Sequence, residues 1–409
     1  MRTIVLALLL FVTLPAGAQV ARVLTLADSL VGGVGGIAVD RLGNVYSADF
    51  MDTVWRIRPD GRVTKFATGL YGPSGNFFDP QGHLMQSNFF GNYVSKIDRE
   101  GRHEIYSEEG LNGPVGITIT ATGEMYVCNC SGNEIVRIDD DRVARTFSQG
   151  ALFRCPNGIT STPDGRLFVV NFSDGNVIEI AEDGEPSVHA TIPGPGNGHI
   201  TFARGSLYVT AFQSHRIFRV GLDGGVEHVA GAAQPGEVDG SPLESRFIFP
   251  NGIAVAPSGD RMFVNDYINR SPPTLHIPPV PLANVRLIKL ANLAELMASS
   301  LSAGGIEAMR SVHAGFRADP ATAGAFTQFQ VNALGYQLMQ VGNLEAAVAV
   351  FELNTEDYPA AFNPWDSLGE GYMNAGRPDE AIAAYRKSLE LNPGNDNARE
   401  MIARIEGGR

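Results

Sequence analysis

Three Asn-Gly pairs and one histidine carry the residue types best suited to ligand chemistry: Asn157-Gly158, Asn197-Gly198 and Asn251-Gly252, with His199 two places beyond Asn197. An amide offers a donor and an acceptor and an imidazole offers either, so this set suits the hydroxyl or amide groups of a neutral polar molecule. Neutral amides without carboxylates hold a hard divalent cation such as calcium only weakly. Asparagine before glycine also has an architectural reading, as a turn residue that tolerates left-handed backbone and bonds its own chain. His199 shares a strand face with Asn197 and reads either as a ligand contact or as a hydrogen-bonded packing residue.

A second set, Asp49, Asn88, Asn129, Asn171, Ala211 and Asp266, closes a series of short apolar segments. Asp and Asn at strand ends commonly accept backbone N–H groups of the following turn, so architecture is the first reading of this set and ligand binding the second. The sequence holds no Gly-x-Ser-x-Gly elbow, no His-Glu-x-x-His and no phosphate loop, and no catalytic residue is assigned. Of the three cysteines, Cys155 is expected to bridge Cys128 or Cys130, leaving one thiol free. Metal binding by the thiols is disfavoured, because no histidine stands beside them at ligand spacing.

The elements that must position these residues are repeats. One unit recurs six times, beginning GGIAVDRLGNVYSADF, PSGNFFDPQGHLMQSNFF, PVGITITATGEMYVCNCS, PNGITSTPDGRLFVVNFS, GNGHITFARGSLYVTAF and PNGIAVAPSGDRMFVNDY. Aligning Gly36, Gly75, Gly116, Gly158, Gly198 and Gly252 gives separations of 39, 41, 42, 40 and 54 residues, the period of a four-stranded propeller blade. Alternating apolar residues mark strands throughout. The last copy runs into the proline-rich stretch NRSPPTLHIPPVPLAN and lacks a fourth strand of its own, while VARVLTLAD at Val20 to Asp28 is spare. That segment is expected to complete the last blade and close the ring, which removes an exposed sheet edge. In such a ring, the residues before the aligned glycines (Gly35, Ser74, Val115, Asn157, Asn197 and Asn251) gather at one channel mouth.

The stretch GEVDGSPLESRFIFPNGIAVAPSGDRMFVNDYINR, with its Asp-Gly turn, Arg-Phe pair and Pro-x-Gly-Ile strand, resembles an NHL repeat. The Pro-Asn-Gly starts at Pro156 and Pro250 are similar to those of the gluconolactonase and senescence-marker-protein propellers. The resemblance covers roughly Val20 to Leu290 and implies an all-β six-bladed propeller. In the lactonase relatives it also implies a divalent cation that polarises a lactone carbonyl, held by a Glu and an Asp together with asparagines. Here only the asparagines match.

Beyond Leu290 the apolar period lengthens to about 3.6 and Ala, Leu and Glu replace the β-branched residues. Trp365, Leu368, Gly369, Tyr372, Ala381, Tyr385 and Pro393 resemble a tetratricopeptide repeat, and Gly335/Gly369, Phe351/Tyr385 and Pro359/Pro393 each lie 34 residues apart. A small all-α module is therefore expected to follow the propeller. Its groove positions Asn332, Tyr336, Asn363, Asp366 and Glu370 include no Lys or Arg, which points away from clamping a terminal carboxylate. The expected division is a signal peptide at 1–18, the propeller at 19–290, a helical connector at 291–325 and tetratricopeptide repeats at 326–409.

Arg2, the apolar stretch from Ile4 to Leu14 and Ala16-Gly17-Ala18 read as a secretory signal, so a periplasmic or secreted location is expected. No later stretch is apolar enough to span a membrane. The formal net charge of -13, with no basic cluster to offset it, disfavours nucleic acid. Both modules are repeat architectures with broad recognition surfaces. The sequence thus reads as an exported binding or scaffold protein for a small polar molecule or a protein or peptide partner, with no cofactor. The alternative is a lactonase-like, cation-dependent hydrolase or lyase with an altered site.

Overall fold

The computed structural model describes residues 20–257, 259–268, 281–290, 292–318 and 328–407. The leader expected at 1–18 lies outside the described residues, as does most of the proline-rich stretch at 269–284 and part of the expected connector. The chain divides into two compact units, a β unit over 19–290 and a helical unit over 291–409.

The β unit is a six-bladed propeller of six four-stranded antiparallel sheets. The innermost strands are Ile37–Val39, Pro73–Phe78, Pro114–Ile119, Pro156–Ser161, Ile200–Ala203 and Ile253–Val255. Burial falls from the axis outward. Second strands such as Leu84–Asn88 and Leu167–Asn171 are buried throughout because neighbouring blades cover both faces, whereas the outer strand His103–Ser107 is mostly exposed. The core lies between blades: Met85 and Val94 pack against Ile117 and Val127, and Phe168 and Val170 pack against Val209 and Phe218.

Ring closure follows the spare-strand expectation. Val20–Val31 pairs antiparallel with Leu282–Leu290, matching Val23 with Ile288 and Leu30 with Ala283, and so becomes the outer strand of the last blade. The loop before that blade's inner strand is pinned to the same segment: Val23 and Gly240 exchange backbone hydrogen bonds of 3.0 and 2.9 Å, and the Thr25 N–H donates to Asp239 Oδ2 at 2.8 Å. Arg286, fully buried, ties that loop to the blade by donating to the carbonyls of Arg246 (2.9 Å) and Val238 (3.0 Å) and to Asp239 Oδ1 (2.7 Å).

The helical unit contains α1 (Leu293–Ala318), α2 (Gln328–Gln340), α3 (Leu344–Asp357), α4 (Phe362–Asn374), α5 (Pro378–Leu391) and α6 (Asp396–Gly407). Gly305, at φ 74° and ψ -167°, breaks α1 into two segments. The 34-residue glycines have a packing cause: a Cβ on Gly335 would stand 2.3 Å from the Phe351 ring, and one on Gly369 would stand 2.7 Å from the Tyr385 ring. Small residues let the helices of each pair approach, and the facing aromatic fills the space.

Candidate functional site

The inner strands approach so closely that a belt of glycines lies between them. A Cβ built on Gly75 would fall 2.2 Å from the Val115 carbonyl oxygen, and one on Gly158 would fall 2.7 Å from the Cα of His199. The second contact shifts the repeat alignment by one residue in the fifth blade. The His199 N–H donates to the Asn251 carbonyl at 2.9 Å as the Gly36 N–H donates to the Ser74 carbonyl at 2.8 Å, and the His199 carbonyl accepts from Thr210 as that of Gly36 accepts from Ala48. The belt residue of the fifth blade is therefore His199 rather than Gly198. Matching glycine to glycine hid this, because the fifth copy begins Gly-Asn-Gly-His where others begin Pro-x-Gly.

The asparagines sit above this belt, at blade junctions. Asn157 Nδ2 donates to the carbonyls of Gly198 (2.8 Å) and Asn197 (3.3 Å), and Asn251 Nδ2 donates to those of Val34 (2.7 Å) and Gly35 (3.4 Å). Asn197 Nδ2 donates to the Asp174 carbonyl at 3.3 Å. All three side chains are buried, and their amide nitrogens bond backbone, in two of the three cases across a junction between blades. None of the three lines the channel cavity.

That cavity, of about 210 Å³, lies at and below the belt and is walled by isoleucines of the inner strands, including Ile37, Ile117, Ile159, Ile200 and Ile253. Its polar side chains are Asn76, Thr160, His199 and Thr201. Of the four candidate ligand residues, the structure brings His199 to the cavity wall and leaves Asn157, Asn197 and Asn251 outside its lining. The imidazole has no charged neighbour in the wall, and burial depresses its pKa to about 4, so it is neutral at pH 7. Asn76, Thr160 and Thr201 were not singled out in the sequence. The available signal was PSGNFF, where Asn76 replaces the isoleucine of the other copies.

Most of the second set of polar residues is occupied by turns, whereas Asn88 donates its Nδ2 to the Gln86 carbonyl and Ser95 Oγ, both at 3.0 Å. Asp49 Oδ1 accepts from the N–H groups of Met51 (2.8 Å), Asp52 (3.0 Å) and Thr53 (3.0 Å). Asn129 Oδ1 accepts from Asn112 N–H, and Asn171 Oδ1 accepts from Arg154 N–H. Asp266 accepts from Ile248 N–H (3.1 Å) and from Arg286 (3.4 Å); burial pushes its pKa up to about 7 against the pull of that guanidinium.

Cys155 is bonded to Cys130, joining the third and fourth blades, while Cys128 is buried and free, its thiol pushed up by desolvation. Among the described residues, no group of three or more His, Cys, Asp or Glu side chains stands close enough to hold a metal ion. The donors at the mouth therefore do not fit the divalent cation implied by the lactonase resemblance: the ring Gly35, Ser74, Val115, Asn157, Gly198 and Asn251 offers neutral amides and no carboxylate.

In the helical unit four of the five groove positions are hydrogen-bonded within the unit. Asn332 Nδ2 donates to Ser367 Oγ (2.9 Å), Tyr336 Oη to Glu370 Oε2 (2.9 Å) and Asn395 Nδ2 to Asp366 Oδ1 (2.8 Å). Burial pushes the Tyr336 hydroxyl up to about 12.

The tetratricopeptide repeat family model matches residues 362–395. No curated protein matches the sequence. Solved structures similar to the propeller include a protein from Bacteroides thetaiotaomicron (TM-score 0.54, 15% identity, covering 66% of this chain and 76% of that one). An auxiliary nutrient binding protein from Bacteroides ovatus gives a TM-score of 0.53 at 13% identity, covering 66% and 77%. A gluconolactonase from Xanthomonas campestris gives 0.52 at 15% identity, covering 67% and 92%. At these identities the likeness shows the fold alone.

Proposed function

We propose that this chain is an exported binding or scaffold protein whose propeller channel takes a small neutral polar molecule. The observation that carries the reading is the chemistry of the cavity wall. It joins isoleucines to uncharged polar side chains, Asn76, Thr160, His199 and Thr201, and contains no carboxylate, lysine or arginine. Ligand pockets are mostly apolar with a few fixed polar groups, and this wall has that composition in a cavity smaller than the roughly 300–1,000 Å³ of drug-sized sites. The leader-like start and the Cys130–Cys155 bond both suit an oxidising, extracytoplasmic compartment. Among the described residues no helix is long and apolar enough to cross a membrane. The helical unit supplies a second recognition surface for a protein or peptide partner.

The test is to assay the full chain, with and without added calcium, for hydrolysis of a simple δ-lactone while titrating it with small neutral solutes. The reading predicts saturable binding of a neutral solute and no turnover above the protein-free rate. Calcium-dependent lactone turnover would overturn it in favour of the hydrolase alternative.

A further inference from the structure

Two residues break the repeat where it meets the channel. Five inner strands carry an isoleucine just after the belt position, and the second blade carries Asn76. Five belt positions are glycine, and the fifth blade has His199. Blades two and five are three places apart in a ring of six, so the two departures stand across the channel axis from each other. Both side chains line the same cavity, and both residues are 7% exposed.

Each leaves one buried polar atom without a hydrogen-bond partner among the described residues, Asn76 Oδ1 and His199 Nε2. The orientation of Asn76 is fixed from behind: its Nδ2 donates to Gln86 Oε1 at 3.2 Å, and Gln86 is held by donating its own Nε2 to the carbonyls of Ser74, Gly75 and Ser87. A buried polar atom left unpaired disfavours the folded state, and isoleucine and glycine perform the same packing in the other blades. Neither residue follows the packing pattern of the other blades.

We propose that Asn76 and His199 form the polar contacts of a binding site for a neutral molecule about one ring in size. Such a ligand directs one polar group at the Asn76 amide and a second at the His199 imidazole, with its apolar body against the isoleucines. This rests on reading the channel as a binding site and adds the ligand class. The cavity volume of about 210 Å³ somewhat exceeds the roughly 150 Å³ of an apolar cavity that admits benzene. The absence of a charged side chain from the wall excludes an ionic partner, which would be buried uncompensated.

The test is titration of the full chain with phenol and benzamide, with benzoate as the charged control, followed by ligand-observed NMR. Asn76→Ile and His199→Gly each install the residue that the other blades use, so a folded, cooperatively melting variant is expected from both. The site predicts saturable binding of phenol or benzamide to the natural chain, benzoate at least about tenfold weaker, and about tenfold loss in each variant, as one lost hydrogen bond produces. Failure of both neutral probes to saturate overturns the proposal. Equal binding by natural chain and variants also overturns it while leaving the channel reading intact, whereas lactone turnover would remove the reading beneath it. Should Asn76→Ile fail to fold, His199→Gly decides alone, and His199→Ala replaces it should that variant fail too.

Discussion

The side-chain amide of Asn251 donates to the carbonyl of Val34 at 2.7 Å, across the junction where the last blade meets the first. Asn157 makes the same bridge from the fourth blade to the fifth, at 2.8 Å to Gly198. These amides hold neighbouring blades together at the mouth. Asn251→Ala leaves a buried carbonyl short of a donor and should cost about 1–3 kcal/mol, measured by chemical denaturation. An unchanged midpoint would show the bridge to be idle.

The N-terminal strand completes the last blade, so deleting Val20 to Asp28 removes the partners of Val285 to Leu290 and the anchor of Asp239. The deletion should abolish cooperative melting and expose a sheet edge that promotes association. A truncated protein with the melting temperature of the full chain would contradict the closure.

The buried imidazole gives a pH signature. The unfolded chain binds a proton at His199 near the ordinary value of about 6.5, whereas the folded chain refuses it until about pH 4. Stability is therefore complete above about pH 6.5 and declines as pH falls towards 4, by up to about 3 kcal/mol from this residue. Denaturation of the natural chain and His199→Gly at matched pH values should show a shallower acid slope in the variant. Identical slopes would place the proton elsewhere.

The Cys130–Cys155 bond closes a loop between residues separated by 25 in sequence. Cys130→Ser should cost about 3 kcal/mol, and Cys128, fully buried, should react with maleimide only after unfolding. Rapid labelling of Cys128 in the native protein would contradict its placement.

The propeller was legible because each blade repeats a pattern in which packing selects the residues: glycine at the belt, isoleucine beside it, and Asp or Asn at the turn after the second strand. The closing strand was legible as the missing member of that pattern. The cavity was harder to read. His199 lies in a copy whose glycines align one residue early, and Asn76 follows a belt glycine, one place beyond the aligned residues that gather at the mouth. The amide nitrogens there bond backbone, since six inner strands crowded around one axis bring Asn157 and Asn251 against the next blade's carbonyls. The disulfide partner could not be chosen from spacing, because residues two apart in a continuous strand share a face; the bonded one is the turn residue Cys130, whereas Cys128 belongs to the strand Met125–Asn129.

A channel that takes a neutral ligand, as proposed, has a mouth that holds no divalent cation tightly. Calorimetric titration of chelator-treated full-length protein with calcium tests this most directly. The mouth amides predict no binding tighter than about millimolar, the affinity range of weak, carboxylate-poor sites. Micromolar or tighter binding of one calcium ion per chain, abolished by Asn157→Ala in a variant that still folds, would contradict it.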